Sequence, residues 1–387
     1  MTHGPPASAK PRYPDQPYVI VGVTVADTLR LVTPVSRAME ARGWRVKIVC
    51  DIGSNPDILP SYPDVDVEAI PMSQAITPAR DGRSLTRWVH LLRRERPDVV
   101  IGSTPKAGLL SMSASRLVRT PVRIFQVRGA RWDGLEGPRA QVLRRMDRLA
   151  AACATDVVSV SHSLADLFKD RGITRKRPKV IGRGGSKGVD LQRFAAIGQH
   201  EGHVPTLGFV GRLSKDKGIA DVLTVFESCR NTYPNCRLVV LGPVDAAQPI
   251  DATTQRRLNQ PGVEWLGSVP DVESHMPHFD VLVFPSIREG LPNVVIEAAA
   301  CGVPTVGYDT TGVRDAIEDK VTGTLVPLGD VPTLTHAAMQ LLDPPTRAPM
   351  SLAARKFAAE NFAEDVVVGE FVDYVEARLE QQTRQKQ

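Results

Sequence analysis

Aromatic residues make up only 5% of this chain, and it holds just five cysteines. Cys50, Cys153, Cys229, Cys236 and Cys301 are odd in number, widely spaced and form no C-x-x-C. That excludes a disulfide scaffold and a zinc ribbon, and it fits a reducing compartment. No apolar run is long enough for a transmembrane helix. The N-terminus, MTHGPPASAKPRYPDQP, lacks the apolar stretch of a secretory signal and reads as a Pro-rich, disordered leader over residues 1–16. A cytoplasmic protein is expected, either free or peripheral on the inner face of the cell membrane. The pairs His200/His203 and His275/His278 have no cysteine or carboxylate cluster at ligand spacing, so they read as exposed loop histidines and no metal is expected. No G-x-G-x-x-G follows the first strand, which weighs against a nicotinamide or flavin dehydrogenase. GRGGSKGVD (182–190) is Gly-rich but is not G-x4-G-K-[ST], so an ATP-type loop is not expected. Its glycines, Gly182, Gly184, Gly185 and Gly188, read instead as positive-φ positions of an interdomain loop.

What is present is a globular composition, 42% hydrophobic and 24% charged, in 387 residues, enough for two domains. Short β-branched runs alternate with helical segments. Strands are expected at 18–25, 46–50, 98–102, 122–127 and 156–161, with helices at 28–42, 84–96, 105–117 and 138–152. After a polar, Gly-containing stretch at 195–205 the pattern restarts. Strands at 206–212, 237–242, 263–268, 280–286 and 304–308 alternate with helices at 218–232, 292–301, 312–318 and 331–342. The end, 351–381, reads as one or two amphipathic helices before a polar tail. Continuous apolar strands separated by helices predict parallel sheets covered on both faces. The fold class is therefore α/β: two doubly wound domains, 17–195 and 205–350, facing an interdomain cleft, with 351–387 returning to the first domain.

The net charge of +5 conceals an asymmetry: residues 1–195 carry +14 and the remainder −9. Nine arginines and three acids fall within 116–148, with Trp132, Leu135, Leu143 and Met146 among them. Such a basic amphipathic stretch suits an anionic bilayer or a diphosphate-bearing lipid; the plainer alternative is a helix with its apolar face in the core and its arginines in water. Nucleic acid is not expected, because no binding motif or aromatic platform accompanies the charge.

The densest chemistry lies in REGLPNVVIEAAACG (288–302), between an expected strand and helix. Pro292 suits the first helical turn and Gly302 its end. The amides of Gly290 and Leu291 then lie at a helix N-terminus, an anion site formed by unpaired N–H groups and the helix dipole. A nucleoside diphosphate lying there could meet two carboxylates: Glu297 at the ribose hydroxyls, and Glu289 facing whatever hangs from the distal phosphate. The spacing alone also allows a solvated turn glutamate and a surface glutamate. FVGRLSKDKG (209–218) again joins a strand to a helix, and Arg212 and Lys217 suit a pyrophosphate leaving group.

GRLSKDKG followed by PSIREGLPNVVIEAAACGVPTVG resembles the retaining GT-B glycosyltransferases of family 4, and TTGVRDAI (310–317) and TGTLVP (322–327) extend the resemblance over about 205–330. STPKAGLL (103–110), VRGARWDG (127–134), SVSHSLADLF (159–168) and GRGGSKGVDLQRF (182–194) are similar to the branch that assembles cell-surface polysaccharides and lipid-linked glycans. The resemblance implies that Arg212 and Lys217 bind the donor diphosphate, Glu289 the donor sugar and Glu297 the ribose, with Gly290, Leu291 and Asn293 completing the donor site. It implies front-face substitution with the anomeric configuration kept, a nucleotide-sugar donor, here expected to be UDP-linked, and a glycan or polyprenyl-diphosphate-linked acceptor. In this family a His often precedes a Gly in the acceptor-side loop; here Arg128 precedes Gly129, and a guanidinium is no general base at neutral pH. Lys106, Arg128 and Arg131 are the acceptor-side candidates. Arg212, Lys217 and the helix N-terminus can stabilise the departing diphosphate, so no obligatory metal or other cofactor is expected. The alternatives are a transferase acting on a small soluble metabolite, a UDP-sugar 2-epimerase on the same fold, and a non-catalytic glycan-binding protein.

Overall fold

The computed structural model describes residues 16–53, 55–73, 75–196, 204–245 and 248–384. The leader expected over 1–16, apart from Gln16, lies outside the described residues, as do His200 and His203, most of the 195–205 stretch and the last three residues of the tail.

The first half is built from β1 (Tyr18–Val25), α1 (Leu29–Ala41), β2 (Arg45–Asp51), β3 (Val67–Ala69), α2 (Pro78–Glu95), β4 (Val99–Ser103), α3 (Pro105–Val118), β5 (Val122–Val127), α4 (Gly137–Cys153), β6 (Asp156–Ser159), α5 (His162–Asp170) and β7 (Lys179–Val180). All pairings are parallel, in the order β3-β2-β1-β4-β5-β6-β7. The central strand YVIVGVTV is buried along almost its whole length, as a strand covered on both faces must be.

The second half runs β8 (Thr206–Val210), α6 (Ile219–Thr232), β9 (Arg237–Leu241), α7 (Ala252–Arg257), β10 (Val263–Gly267), α8 (Val272–His275), β11 (Val281–Phe284), α9 (Asn293–Ala300), β12 (Thr305–Tyr308), α10 (Val313–Ala316), β13 (Gly323–Val326), α11 (Val331–Leu342), α12 (Pro344–Phe362) and α13 (Glu364–Arg384). Its sheet is also parallel, in the order β10-β9-β8-β11-β12-β13. The two halves are thus Rossmann-like α/β domains, each with one reversal of strand order: between β1 and β4 in the first, and between β8 and β11 in the second. Ligands in such sheets bind beyond the carboxyl ends of the strands at that reversal.

The C-terminal helices join the two domains. Arg347 of α12 meets Asp280, just before β11, at 2.7 Å, with both side chains almost fully buried. Val368, Phe371, Val372 and Val375 of α13 share a core with Val19, Val21 and Ile48 of the first domain. The chain leaves the first domain and returns to it side by side: Val189 N–H donates to the Phe362 carbonyl (2.7 Å) and Glu364 N–H to the Val189 carbonyl (2.9 Å). Gly182, Gly184, Gly185 and Gly188 all have positive φ, between 53° and 113°. A Cβ on Gly188 would lie 2.6 Å from Glu364 Cα, so the loop needs both the conformational freedom and the missing side chain.

All five cysteines are buried free thiols. No helix among the described residues is long and apolar enough to cross a membrane.

Candidate active site

The strand order of the second domain brings together the two segments that carry its chemistry. The turn after β8 supplies Arg212 and Lys217, and the turn after β11 supplies Ser286, Arg288 and Glu289. The Lys217 ammonium donates to the Glu289 carboxylate, and Ser286 Oγ donates to the same Oε1 at 2.8 Å. Both charged side chains are mostly buried, at 17% and 15% exposure. Glu289 is therefore fixed by a cation and a hydroxyl, not left as a solvated turn residue. Arg212 is more open, at 58%, and its Nη1 reaches Asp245 at 2.5 Å. Asp216 joins the cluster. Burial opposes its charge, yet the Ser214 hydroxyl together with Lys217, Arg288 and Arg212 holds its carboxyl below the usual range.

Helix α9 starts immediately beyond. Its N-cap position is Pro292, with no side-chain cap. The amide of Glu289 donates to the Thr311 carbonyl. Those of Gly290, Leu291 and Asn293 find no partner among the described residues, so they remain as donors beside the dipole of α9. Glu297 lies one turn further along and is 14% exposed. Its carboxylate is 3.5 Å from Lys187 Nζ, which reaches across from the Gly-rich loop.

The first domain closes over this site. A Cβ placed on Gly290 would lie 1.9 Å from the carbonyl oxygen of Arg128. Ser161 Oγ donates to the Gly290 carbonyl at 2.6 Å, and Arg288 Nη1 donates to the carbonyls of Asp133 (2.8 Å) and Arg131 (3.2 Å). The two domains also cap each other's helices. Asp315 of α10 accepts the His162 and Ser163 amides at the start of α5 (2.9 and 3.2 Å). Ser163 Oγ in turn accepts the Gly312 amide at 2.8 Å. The two domains are thus joined across the cleft by directional hydrogen bonds.

The three acceptor-side candidates part company here. Arg128 directly follows β5, and its side chain reaches across the end of β4 to α1, at the reversal of strand order in the first domain. Its Nη2 donates to Gln126 Oε1 (3.0 Å) and the Leu31 carbonyl (3.5 Å), and its Nε to Ser103 Oγ (3.3 Å). Nη1 is closed off from solvent and has no partner among the described residues. Burial, with no carboxylate to oppose it, pushes the guanidinium down to about 10, which leaves it charged at neutral pH. Arg131 has an exposed side chain at the cleft rim. Lys106 does not fit the expectation of a free acceptor contact. It is 4% exposed, and its ammonium is committed to Asp81 (2.7 Å) and the Ala75 carbonyl, which fixes the loop before α2.

Trp132, grouped by sequence with the basic surface, is fully buried, and its indole N–H donates to Asp147 at 2.7 Å. Burial raises that carboxyl to about 6. Leu143 is in the core as well. The exposed apolar residues of this region are Leu117, Val142 and Leu149. Sequence reasoning passed over Ser286, Arg288, Asp216, Lys187 and Asp315. Arg288 adjoins Glu289 in the densest motif, but only the closed cleft reveals its partners.

Among the described residues no group of three or more His, Cys, Asp or Glu side chains is arranged to hold a metal ion.

Comparison with known proteins identifies the family. The family model for glycosyl transferases group 1 matches residues 204–344, and that for the glycosyl transferase 4-like domain matches residues 30–184. The chain is 30% identical over 361 residues to the capsular polysaccharide biosynthesis glycosyltransferase CapM of Staphylococcus aureus, covering 89% of this chain and 93% of CapM. It is 25% identical over 306 residues to the UDP-Gal:alpha-D-GlcNAc-diphosphoundecaprenol alpha-1,3-galactosyltransferase of Escherichia coli, covering 74% and 77%. Anabaena HepE, solved in complex with UDP and glucose, shares the fold with a TM-score of 0.77 at 16% identity, covering 94% of this chain and all of HepE.

Proposed function

Because this chain belongs to the GT-B glycosyltransferases of family 4, we propose that it moves a sugar, with retention of configuration, from a UDP-sugar to a lipid-diphosphate-linked glycan during surface polysaccharide assembly. The observation that carries the donor half of this reading is the meeting of Lys217, Glu289, Glu297 and the unpaired amides of Gly290 and Leu291 at one strand-order reversal.

The diphosphate would lie on the start of α9, taking the Gly290 and Leu291 amides. Lys217, already in contact with Glu289, would share its N–H groups with the leaving oxygen as negative charge develops there. Glu289 would face the sugar. Its pairing with Lys217 and Ser286 suits electrostatic support of positive charge at the anomeric carbon rather than nucleophilic attack, in keeping with front-face substitution. Glu297 would exchange its contact with Lys187 for the ribose hydroxyls. Closure through Arg288, Ser161 and Asp315 would keep water from intercepting the donor. In this reading the residues perform the charge stabilisation a metal would otherwise supply, so no metal is required.

Glu297→Ala tests the pose. Two hydrogen bonds to a carboxylate would be lost, so UDP affinity by calorimetry should fall about 10- to 100-fold. Wild-type protein should prefer UDP over GDP and ADP. An unchanged UDP affinity in the variant would remove Glu297 from the ribose and the pose with it.

The acceptor half leans on the surface of α3 and α4, which pack side by side. Exposed Leu117, Val142 and Leu149 are interleaved there with exposed Arg116, Arg119, Arg139, Arg145 and Arg148. Val142, Arg145 and Leu149 follow one another at helical spacing on a single face. We read this as a peripheral docking surface for an anionic bilayer, where a lipid-linked acceptor would reside. The protein should therefore co-sediment with vesicles containing anionic lipid but not with neutral ones, and Leu149→Glu should reduce that binding. If wild type ignores anionic vesicles, the soluble-metabolite acceptor becomes the better reading.

A further inference from the structure

The guanidinium of Arg128 is held by Ser103, Gln126 and Leu31, all neutral, and among the described residues no carboxylate answers it. Leu31 is in the first turn of α1, and Ser103 ends β4, one residue before the N-cap of α3. A cation therefore lies beside the positive ends of two helices, an arrangement unfavourable three times over unless an anion joins it. Its orphaned Nη1–H is closed off from solvent. The floor of the crevice is also strained. Thr104, a β-branched residue, has φ 77° and ψ 147°, a region otherwise used by glycine, and Thr24 holds it there through a 2.7 Å contact between the two hydroxyl oxygens. Nothing in the donor site requires these features, because every partner of the guanidinium belongs to the first domain.

We infer that Arg128 forms an anion subsite at the β1/β4 reversal for a phosphoryl group of the acceptor, and that this group is attached to the very sugar that is glycosylated. The second part follows from proximity. The Arg128 carbonyl abuts Gly290, the neighbour of Glu289, so its guanidinium is no further than one arginine side chain from the Gly290 backbone, a span that a single sugar fills. The acceptor is then a monosaccharide carried on a lipid diphosphate rather than the far end of a long neutral glycan. Such an acceptor is the product of a sugar 1-phosphate transfer: a lipid phosphate oxygen attacks the β-phosphorus of a nucleotide sugar, a P–O bond forms, and nucleoside monophosphate leaves. This chain would add the second sugar. The inference rests on the transferase reading above for its acceptor.

Two arms test it. In the first, the full-length protein is saturated with UDP, which occupies the donor phosphates, and a hexosamine 1-phosphate is titrated while the melting temperature is followed. Wild type should be stabilised, Arg128→Lys less so and Arg128→Gln not at all; equal stabilisation of wild type and Arg128→Gln overturns the subsite. In the second, kcat/KM is compared for a sugar diphosphate-lipid acceptor and the same sugar on a neutral alkyl chain. Wild type should favour the charged acceptor by about 10-fold or more, the worth of one charge-assisted hydrogen bond, and Arg128→Gln should bring that preference within about threefold. A preference that survives in Arg128→Gln, or a variant whose UDP affinity collapses while the preference stays, also overturns it, the latter by assigning Arg128 to the donor. The first arm needs no turnover, so an absence of transfer to any acceptor would defeat the functional reading while leaving the subsite to be judged on binding.

Discussion

Replacing Lys217 with alanine should lower kcat by about 10²- to 10³-fold, the usual cost of deleting one preorganised donor to a developing oxyanion, or roughly 3–4 kcal/mol of transition-state stabilisation. The geometry argues for an effect at the upper end. Lys217 is one of the most enclosed cations of the site and is held against Glu289, so its charge acts where water screens little. Its removal also leaves Glu289 with only the Ser286 hydroxyl, a negative charge without a compensating cation beside the proposed diphosphate position. The loss should fall on kcat more than on KM, because the leaving oxygen gains its full charge only as the glycosidic bond breaks. Arg212→Ala should cost less, since Arg212 is more than half exposed. Steady-state kinetics with single and double variants decides the matter. Near-normal turnover of Lys217→Ala would take the residue out of the mechanism.

Gly290→Ala carries the second large effect, and it arises from backbone proximity rather than charge. The added methyl would lie 1.9 Å from the Arg128 carbonyl and could not be accommodated without separating the domains. The Gly290 amide remains, so UDP affinity should change by no more than a few-fold. Transfer should fall by about 10²-fold, because a displacement near 1 Å at the reacting centre is enough for that loss. The ratio of donor hydrolysis to transfer should rise as the cleft admits water. Product analysis with and without acceptor measures both quantities. A variant that transfers sugar within threefold of wild type would falsify the view that the closed cleft is the working state.

Much of the fold was legible in the sequence because its signals are local. Residues 18–25, 122–127 and 206–210 are short runs dominated by β-branched and aromatic residues, and Leu29, Val32, Val35 and Met39 follow one helical face; each predicts its element without knowledge of neighbours. The misses have equally local reasons. β3 and β7 are three and two residues long, too short for any periodicity to show, and β13 lies within TGTLVP, whose threonines and glycine dilute the apolar signal. Helix α5 opens with His162 and Ser163, and the carboxylate that caps it belongs to Asp315, some 150 residues away. The residues proposed for the donor site were readable because a strand, a turn and a helix start keep them within short segments. The acceptor side was less so. Lys106 and Arg128 look alike in sequence as isolated cations after strands, yet one is consumed by Asp81 and the other has no counter-charge.

The sequence by itself determined two α/β domains, two cation- and carboxylate-bearing turns, and membership of a sugar-transferring family. The order of the strands decided the rest. Pairing β8 with β11 brings Lys217 onto Glu289 across 72 residues, and pairing β1 with β4 leaves Arg128 over the starts of two helices. Periodicity and turn chemistry act over a few residues and can be read in a line, whereas burial and charge balance depend on which distant segments meet.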